Sequence, residues 1–354
     1  MNVLSLFDGS ACTRVALDKL GIPVTKYYAS EIDKYAIKVA MANYPDIVQV
    51  GDVQSISFKE GEIDLLVGGS PCQGFSFAGR QLNFADPRSK LFFEYVRILK
   101  ECKPKYFLLE NVRMKQEYQD VISDALGVQP IAINSRLMSA QNRQRLYWTN
   151  IPDITQPEDK GIVLQDILED GFVDRDKSHC LDANYFKGGN LKSYFEKHRR
   201  QLVFSKDGLC HVGDADINGH DILKRVYHPE GKAPTLTTMG GGHTEPKVLC
   251  GAWRGRYTVD GVRQDHKHKV AGMTTQRLEV RTDGKTNSLT TVQKDNVAVD
   301  VSELQWRKLT PLECERLQTL PDNYTNHVSN TQRYKMLGNG FTVDVIAHIL
   351  KGIK

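Results

Sequence analysis

At 354 residues, with 40% hydrophobic and 25% charged content, the chain is long enough for about two domains with a sizeable core, and its composition excludes a fibrous or disordered protein. A formal net charge of +4 is too mild to announce a nucleic-acid partner by itself. The seven scattered cysteines show no Cys-x-x-Cys spacing, which argues against a disulfide framework and a structural zinc site, and the absence of a membrane-length apolar run or a leader pattern points to a cytoplasmic location.

Residues 3–7 read as a first strand, and Asp8-Gly9-Ser10-Ala11 as the turn into a helix through Val15, Ala16 and Leu20 that Gly21 closes. Residues 26–30 form a second strand ending on Glu31, a helical pattern follows from 33 to 43, and a third strand over 47–50 ends on Gly51-Asp52. Two carboxylates thus stand at consecutive strand ends. In a doubly wound sheet, a carboxylate after the second strand is placed to accept the ribose hydroxyls of a nucleoside. Gly9 lacks its Gly-x-Gly-x-x-Gly partners, so a ligand without a pyrophosphate fits better than a dinucleotide. The plainer alternative is that Glu31 and Asp52 cap the helices that follow them.

The apolar run 63–67 has the length and β-branched content of a buried parallel strand and feeds the loop Gly68-Gly69-Ser70-Pro71-Cys72-Gln73-Gly74-Phe75-Ser76. Two glycines let this backbone bend, Pro71 fixes one φ angle, and Cys72 can be held at the mouth of a cleft. Alternatively, Cys72 is an ordinary buried thiol. Residues 91–99 have helical spacing, and a strand over 105–109 ends on Glu110-Asn111-Val112. A cysteine and a carboxylate facing one cleft suit attack on an electrophilic ring carbon with protonation of a nearby ring atom. Alternation in Gln141-Asn142-Arg143-Gln144-Arg145 puts Gln141, Arg143 and Arg145 on one face of an extended segment. Two guanidiniums there can grip a phosphate or a carbonyl oxygen, and a solvated strand is the plainer reading of the pair alone.

Between about 153 and 300 the chain turns rich in Gly, Thr, His and charge, with short β-like runs; 233–238 and 287–291 echo each other weakly. Gly240-Gly241-Gly242-His243 is a loop candidate. Arg254 and Arg256 open a basic stretch interleaved with Trp253 and Tyr257, the composition of a nucleic-acid face, although Asp260, Asp265, Glu279 and Asp283 among them also suit a solvated surface. Asp214 to Gly219 begins like a calcium loop, but Arg225 stands where the bidentate glutamate belongs, and no metal site is expected. Finally, Thr310-Pro311-Leu312-Glu313 is a capping box opening a helix to about 319, a second run over 332–337 stops at Gly338, and an apolar helix covers 343–350. The expected architecture is α/β: a doubly wound, Rossmann-like sheet from 1–152 and 303–354, with a small, mostly β or irregular domain of 153–302 inserted.

The ordered series Phe7-Asp8-Gly9, Glu31, Asp52, Pro71-Cys72-Gln73, Glu110-Asn111-Val112, Gln141-x-Arg143-x-Arg145 and Leu337-Gly338-Asn339-Gly340 resembles the cytosine-5 DNA methyltransferase family. The bacterial and phage members and the catalytic domains of de novo type enzymes are the most similar. The resemblance implies that a methyl group passes from S-adenosylmethionine to C5 of a cytosine flipped out of a specific duplex DNA sequence, through a covalent adduct between Cys72 and C6. It implies Cys72 as nucleophile, Glu110 as the acid at N3, Arg143 and Arg145 as groups orienting the base and loop, and Pro71 as shaper of the turn. Cofactor contacts are implied for Phe7, Asp8, Gly9, Glu31, Ile32, Asp52, Val53, Gly69, Leu91 and Asn339, with S-adenosylhomocysteine as product. DNA contacts are implied for Gln73, Ser76, Arg254, Arg256, Gly241 and His243 in and around a target-recognition insertion. A monomer on double-stranded DNA is the expected state, nucleoid-associated, with a cognate restriction endonuclease as a candidate companion. Ala11 replaces the usual second glycine of the first turn, and Gly340 replaces a small polar residue. A tRNA cytosine-5 methyltransferase and a catalytically silent DNA-binding homologue are the alternatives; a zinc-dependent deaminase fails because Phe75 occupies the place of its second cysteine.

Overall fold

The computed structural model describes residues 1–70, 90–171, 173–188, 194, 197, 199–205, 211–214, 225–227, 250–256, 258–259, 262–263, 275–280, 296–298 and 305–353. Short aliphatic runs build the frame. Strands β1 (Asn2–Leu6), β2 (Lys26–Ser30), β3 (Val48–Gln49), β4 (Leu65–Gly68) and β5 (Tyr106–Val112) run parallel, and at one edge β7 (Gln144–Thr149) lies antiparallel between β5 and β6 (Ile131–Asn134). Their order is β3-β2-β1-β4-β5-β7-β6. The chain therefore reverses its direction of travel across the sheet between β1 and β4, which makes a switch point at their carboxyl ends.

All four residues of β4 are buried, as expected of a parallel strand with helices over both faces. Leu4, Leu6, Leu66, Leu109 and Trp148 cluster with Phe92, Tyr95 and Ile98 of α3 (Lys90–Cys102) and Ile122 of α4 (Gln116–Leu126). Trp148 Nε1 donates to Ser123 Oγ at 3.0 Å, so its one polar atom is satisfied inside the core. Helix α1 (Cys12–Lys19) follows β1 and α2 (Lys34–Asn43) follows β2. The C-terminal helices are α5 (Pro311–Leu317), α6 (Asn330–Asn339) and α7 (Val343–Leu350). Helix α7 packs on α1, where Lys19 Nζ meets Asp344 Oδ1 at 2.8 Å.

Bounds of β2 and α7 coincide with expectation, and the capping box forms in full. Thr310 Oγ1 accepts from Glu313 N at 3.1 Å, and Glu313 Oε2 accepts from Thr310 N at 2.8 Å. Two expectations are corrected. Strand β5 does not end before Glu110 but continues to Val112, because Glu110 and Val112 pair with Tyr147 and Arg145 of β7. Gly338 does not stop its helix: α6 runs one residue further, and a Cβ at 338 would lie 2.3 Å from the Asp182 carbonyl. The glycine serves close approach there, not termination.

Met1–Glu169, Arg175–Leu202 and Lys308–Lys354 form one compact unit; Asp170–Asp174 and Val203–Arg307 form a second. Most of 153–202, expected in the insertion, thus falls in the first unit. Lys177 Nζ donates to the carbonyls of Arg136, Ser139 and Ile162, and Leu309 N donates to Tyr185 Oη. Strand β8 (Leu202–Ser205) pairs with β16 (Gln305–Lys308); in the second unit, β9 (His211–Asp214) pairs with β10 (Arg225–Tyr227), and β12 (Thr258–Val259) with β13 (Val262–Arg263). Strand β11 (Cys250–Arg256) lies between β14 (Thr275–Val280) and β15 (Asn296–Ala298), antiparallel to both. Among the described residues, no helix is long and apolar enough to cross a membrane.

Candidate active site

The carboxyl ends of β1, β2, β4 and β5 open on one cavity of about 750 Å³ in the first unit. Every residue expected around a nucleoside cofactor lines it: Phe7, Asp8 and Gly9 after β1, Glu31 and Ile32 after β2, Asp52 and Val53 after β3, Gly69 after β4, Leu91 in α3 and Asn339 in α6. Glu110, Arg143 and Arg145 line it too.

The turn after β1 is left-handed at three alternate residues, with φ of 57° at Phe7, 63° at Gly9 and 62° at Ala11. Only glycine adopts this geometry freely, so the fully buried Ala11 is strained by about 1–2 kcal/mol. Glu31 ties this turn to the end of β2. Its Oε2 accepts from Gly9 N at 2.8 Å, and its Oε1 accepts from Ile32 N at 2.7 Å and Asp33 N at 2.8 Å. Asp52 Oδ1 accepts from Gln54 N at 3.0 Å. Both carboxylates therefore hold backbone donors and still face the cavity with spare lone pairs, so the capping reading and the ligand reading describe the same residues.

Asp8 is buried, accepts from Tyr27 Oη at 2.7 Å through Oδ1, and has no partner for Oδ2. Burial pushes its carboxyl up to about 7, against the pull of hydrogen bonds from Ser5 and Tyr27, and Glu31 adds to the rise. Across the cavity mouth, Lys335 Nζ of α6 pairs with Asp33 Oδ2 at 2.7 Å.

At the other end, Arg145 Nε meets Glu110 Oε1 at 2.9 Å, both side chains being only 13% and 12% exposed. The register sets this up: Glu110 opposes Tyr147 and Val112 opposes Arg145, which makes Glu110 and Arg145 diagonal neighbours on one face. Gln141, Arg143 and Arg145 do alternate inward while Asn142 and Gln144 are exposed. Their ends, however, diverge. Gln141 Nε2 reaches Leu317 O and Gln318 Oε1. Arg143 gives its terminal nitrogens to the carbonyls of Leu181, Gly338 and Gly340 and to the Cys180 sulfur. Arg143, expected to orient the base, lines the cavity but is only 3% exposed, and the carbonyls of Gly338 and Gly340 take up its donors.

Between the two ends sits Gly69, where a Cβ would lie 2.8 Å from the Phe341 ring and 3.4 Å from Glu110 Oε2. Asn111 Nδ2 donates to Ser70 Oγ at 3.2 Å, so the residue after Glu110 holds the one before Pro71-Cys72. Gly340 has extended backbone, and a Cβ there would lie 3.1 Å from Met336 O, a tight contact. Pro71, Cys72, Gln73, Ser76, Gly241 and His243 lie outside the described residues. Arg254 and Arg256 fall on β11 of the second unit, in register with Arg277 and Thr275. The sequence reading missed Phe341, Lys335 and Cys180. Phe341 follows directly on Asn339-Gly340, a signal that was present; the other two belong to no motif.

Over residues 1–354 the sequence matches the C-5 cytosine-specific DNA methylase family. It is 30% identical, over an alignment 424 residues long, to the orphan methyltransferase M.SPRI of Bacillus phage SPR, covering 99% of this chain and 97% of the relative. It is 29% identical over 417 residues to the type II methyltransferase M.BanI of Aneurinibacillus aneurinilyticus, covering 99% and 95%. Among solved structures, the Entamoeba histolytica methyltransferase EhMeth superposes with a TM-score of 0.61 at 16% identity, over 100% of this chain and 99% of that one. A Spodoptera frugiperda DNMT2 mutant gives 0.55 at 17%, over 99% and 98%. The Rossmann-like sheet is common to them. The chain belongs to the C-5 cytosine-specific DNA methylase family and is a DNA (cytosine-5-)-methyltransferase.

Proposed function

We propose that the Glu31–Asp52 end of the cavity holds S-adenosylmethionine and that the Glu110–Arg145 end receives a cytosine flipped out of duplex DNA. One observation carries this reading: a nucleoside-type end and an acid-type end share one cavity and meet at Gly69, from which the chain passes directly into Ser70-Pro71-Cys72. The donor set fits such a cofactor. Glu31 and Asp52 have lone pairs for hydroxyl and amine donors, and Phe7, Ile32, Val53 and Leu91 supply an apolar lining for a purine. The cofactor supplies an electrophilic methyl group and leaves as S-adenosylhomocysteine.

Cytosine C5 is a poor nucleophile until a thiolate adds at C6, and Cys72 performs that addition. As the C6–S bond forms, electrons move towards N3, and Glu110 donates a proton there. Arg145 holds the Glu110 carboxyl in place. Arg143 acts one step removed, fastening the Gly338–Gly340 backbone that forms the cofactor side of the cavity, while Pro71 fixes the turn. Once C5 has gained its methyl group, the C5 proton passes to water, the C6–S bond breaks to expel the thiolate, and N3 returns its proton to Glu110, which restores the aromatic ring. A stacked base cannot reach Cys72, so the base leaves the helix. The second unit, with Arg254, Arg256, Gly241 and His243, reads and grips the target as the recognition domain, and Gln73 and Ser76 touch the DNA beside the flipped base. A monomer acting in the cytoplasm beside a cognate endonuclease completes the proposal.

The test is a labelled-methyl assay on duplex DNA and on tRNA, with S-adenosylhomocysteine binding measured by calorimetry. Cys72→Ala abolishes transfer and leaves binding unchanged, because the thiol acts only on the base. Turnover by this variant within about tenfold of wild type, or equal transfer to tRNA, would overturn the reading.

A further inference from the structure

The mechanism leaves one thiol beside its arginines unused. Cys180 Sγ lies 3.4 Å from Arg143 Nη1 and 3.8 Å from Arg145 Nη2, the same Arg145 whose Nε holds Glu110 at 2.9 Å. Glu110 and Cys180 thus occupy two different nitrogens of one guanidinium. Among the described residues, Tyr147 on β7 faces Glu110 and both arginines, Arg175 meets His179, and Asp182 pairs with Arg199, while the Cys180 sulfur also lies 3.5 Å from Leu181 O. Burial among these groups raises the thiol, but Arg143 and then Arg145 outweigh it, and the net effect holds Cys180 below the ordinary cysteine value. In turn, burial disfavours the Arg145 cation, while Glu110 and then Cys180 favour it.

The chemistry assigned to Glu110 makes this sharing matter. A carboxyl that gives a proton to N3 must first carry one, and a cation 2.9 Å away opposes its protonation. A second anion on the same cation removes part of that opposition. We propose that Cys180 is a positioning residue which, as a thiolate, shares Arg145 with Glu110, keeping the guanidinium in place while Glu110 takes up and passes on its proton. This rests on the acid role of Glu110 proposed above.

Three variants separate charge from shape. Cys180→Ser keeps the size and removes the acidic thiol; Cys180→Asp supplies an anion; Arg145→Gln removes the shared cation. With Cys180→Ser, kcat at neutral pH falls by about tenfold and the alkaline limb of the kcat–pH profile moves down by about one unit, since Glu110 loses its proton more readily. Cys180→Asp recovers most of both. A second readout needs no turnover: alkylation of Cys180 by iodoacetamide, followed by peptide mass spectrometry across pH, is half-maximal below the free-cysteine value in wild type and moves up towards it in Arg145→Gln, where Arg143 alone remains beside the thiol. A Cys180→Ser profile that overlays wild type, Cys180→Asp no better than Cys180→Ser, or ordinary alkylation behaviour would each overturn the inference. Absence of cytosine methylation by wild type would instead overturn the proposed function, and the alkylation readout would still test the contact between Cys180 and Arg145.

Discussion

Asp8 shows how a single side chain links the cavity to the stability of the sheet. Its carboxyl is raised from 3.8 to about 7 by burial. A raised acid stabilises the fold fully below its unfolded value and loses that contribution as pH rises through the folded one. Asp8→Asn, which keeps an acceptor for Tyr27, therefore raises the melting temperature more at pH 8 than at pH 5; an equal shift at both would contradict the assignment. Ala11 gives a second prediction at this scale. Ala11→Gly removes the cost of a left-handed alanine and stabilises by about 1 kcal/mol, measured by urea denaturation. Glu31, Asp52 and Glu110 were legible as cavity-lining carboxylates because each stands at the carboxyl end of a strand or just after it. The partners of Arg143 were not, because the carbonyls that hold it come from 195 and 197 residues away in the chain.

Elements were readable in proportion to how strongly burial constrains them. The central strands β1 and β4 are near-continuous aliphatic runs with no wet face, and helix α5 announces itself through Thr310, Pro311 and Glu313. Strand β6 and helix α4 were not foreseen. The former is four residues with only Ile133 buried, too short to show a period, whereas the latter does carry one, burying Tyr118, Ile122 and Leu126 at four-residue spacing behind a polar start at Gln116-Glu117. Gly338 is the clearest failure of a local rule, since a glycine that looks like a helix stop is fixed by a tertiary contact with the Asp182 backbone. Gly338→Ala accordingly destabilises by about 1–3 kcal/mol and weakens S-adenosylhomocysteine binding by moving Asn339, whereas Thr310→Ala costs about 1 kcal/mol through the lost cap and leaves binding unchanged. Chemical denaturation and calorimetry on the two variants check both statements.

For the whole molecule, one sheet gathers chemistry from distant parts of the chain, and a second unit of short antiparallel strands is carried between α4-to-β7 and the C-terminal helices. With a net charge of only +4, grip on DNA must come from local placement of Lys and Arg, so affinity measured by anisotropy falls steeply between low and moderate salt; a flat profile would contradict phosphate gripping. The central claim, that a thiol from the β4 loop and the β5 carboxyl act on one extruded cytosine, is tested most directly by duplex DNA carrying 5-fluorocytosine at the target position, where the C5 fluorine cannot leave as a cation. With S-adenosylmethionine present, the account predicts a protein–DNA complex that survives denaturing electrophoresis, maps to Cys72 and is absent from Cys72→Ser. Methyl transfer by wild type without such an adduct, or an adduct that persists in Cys72→Ser, would contradict it.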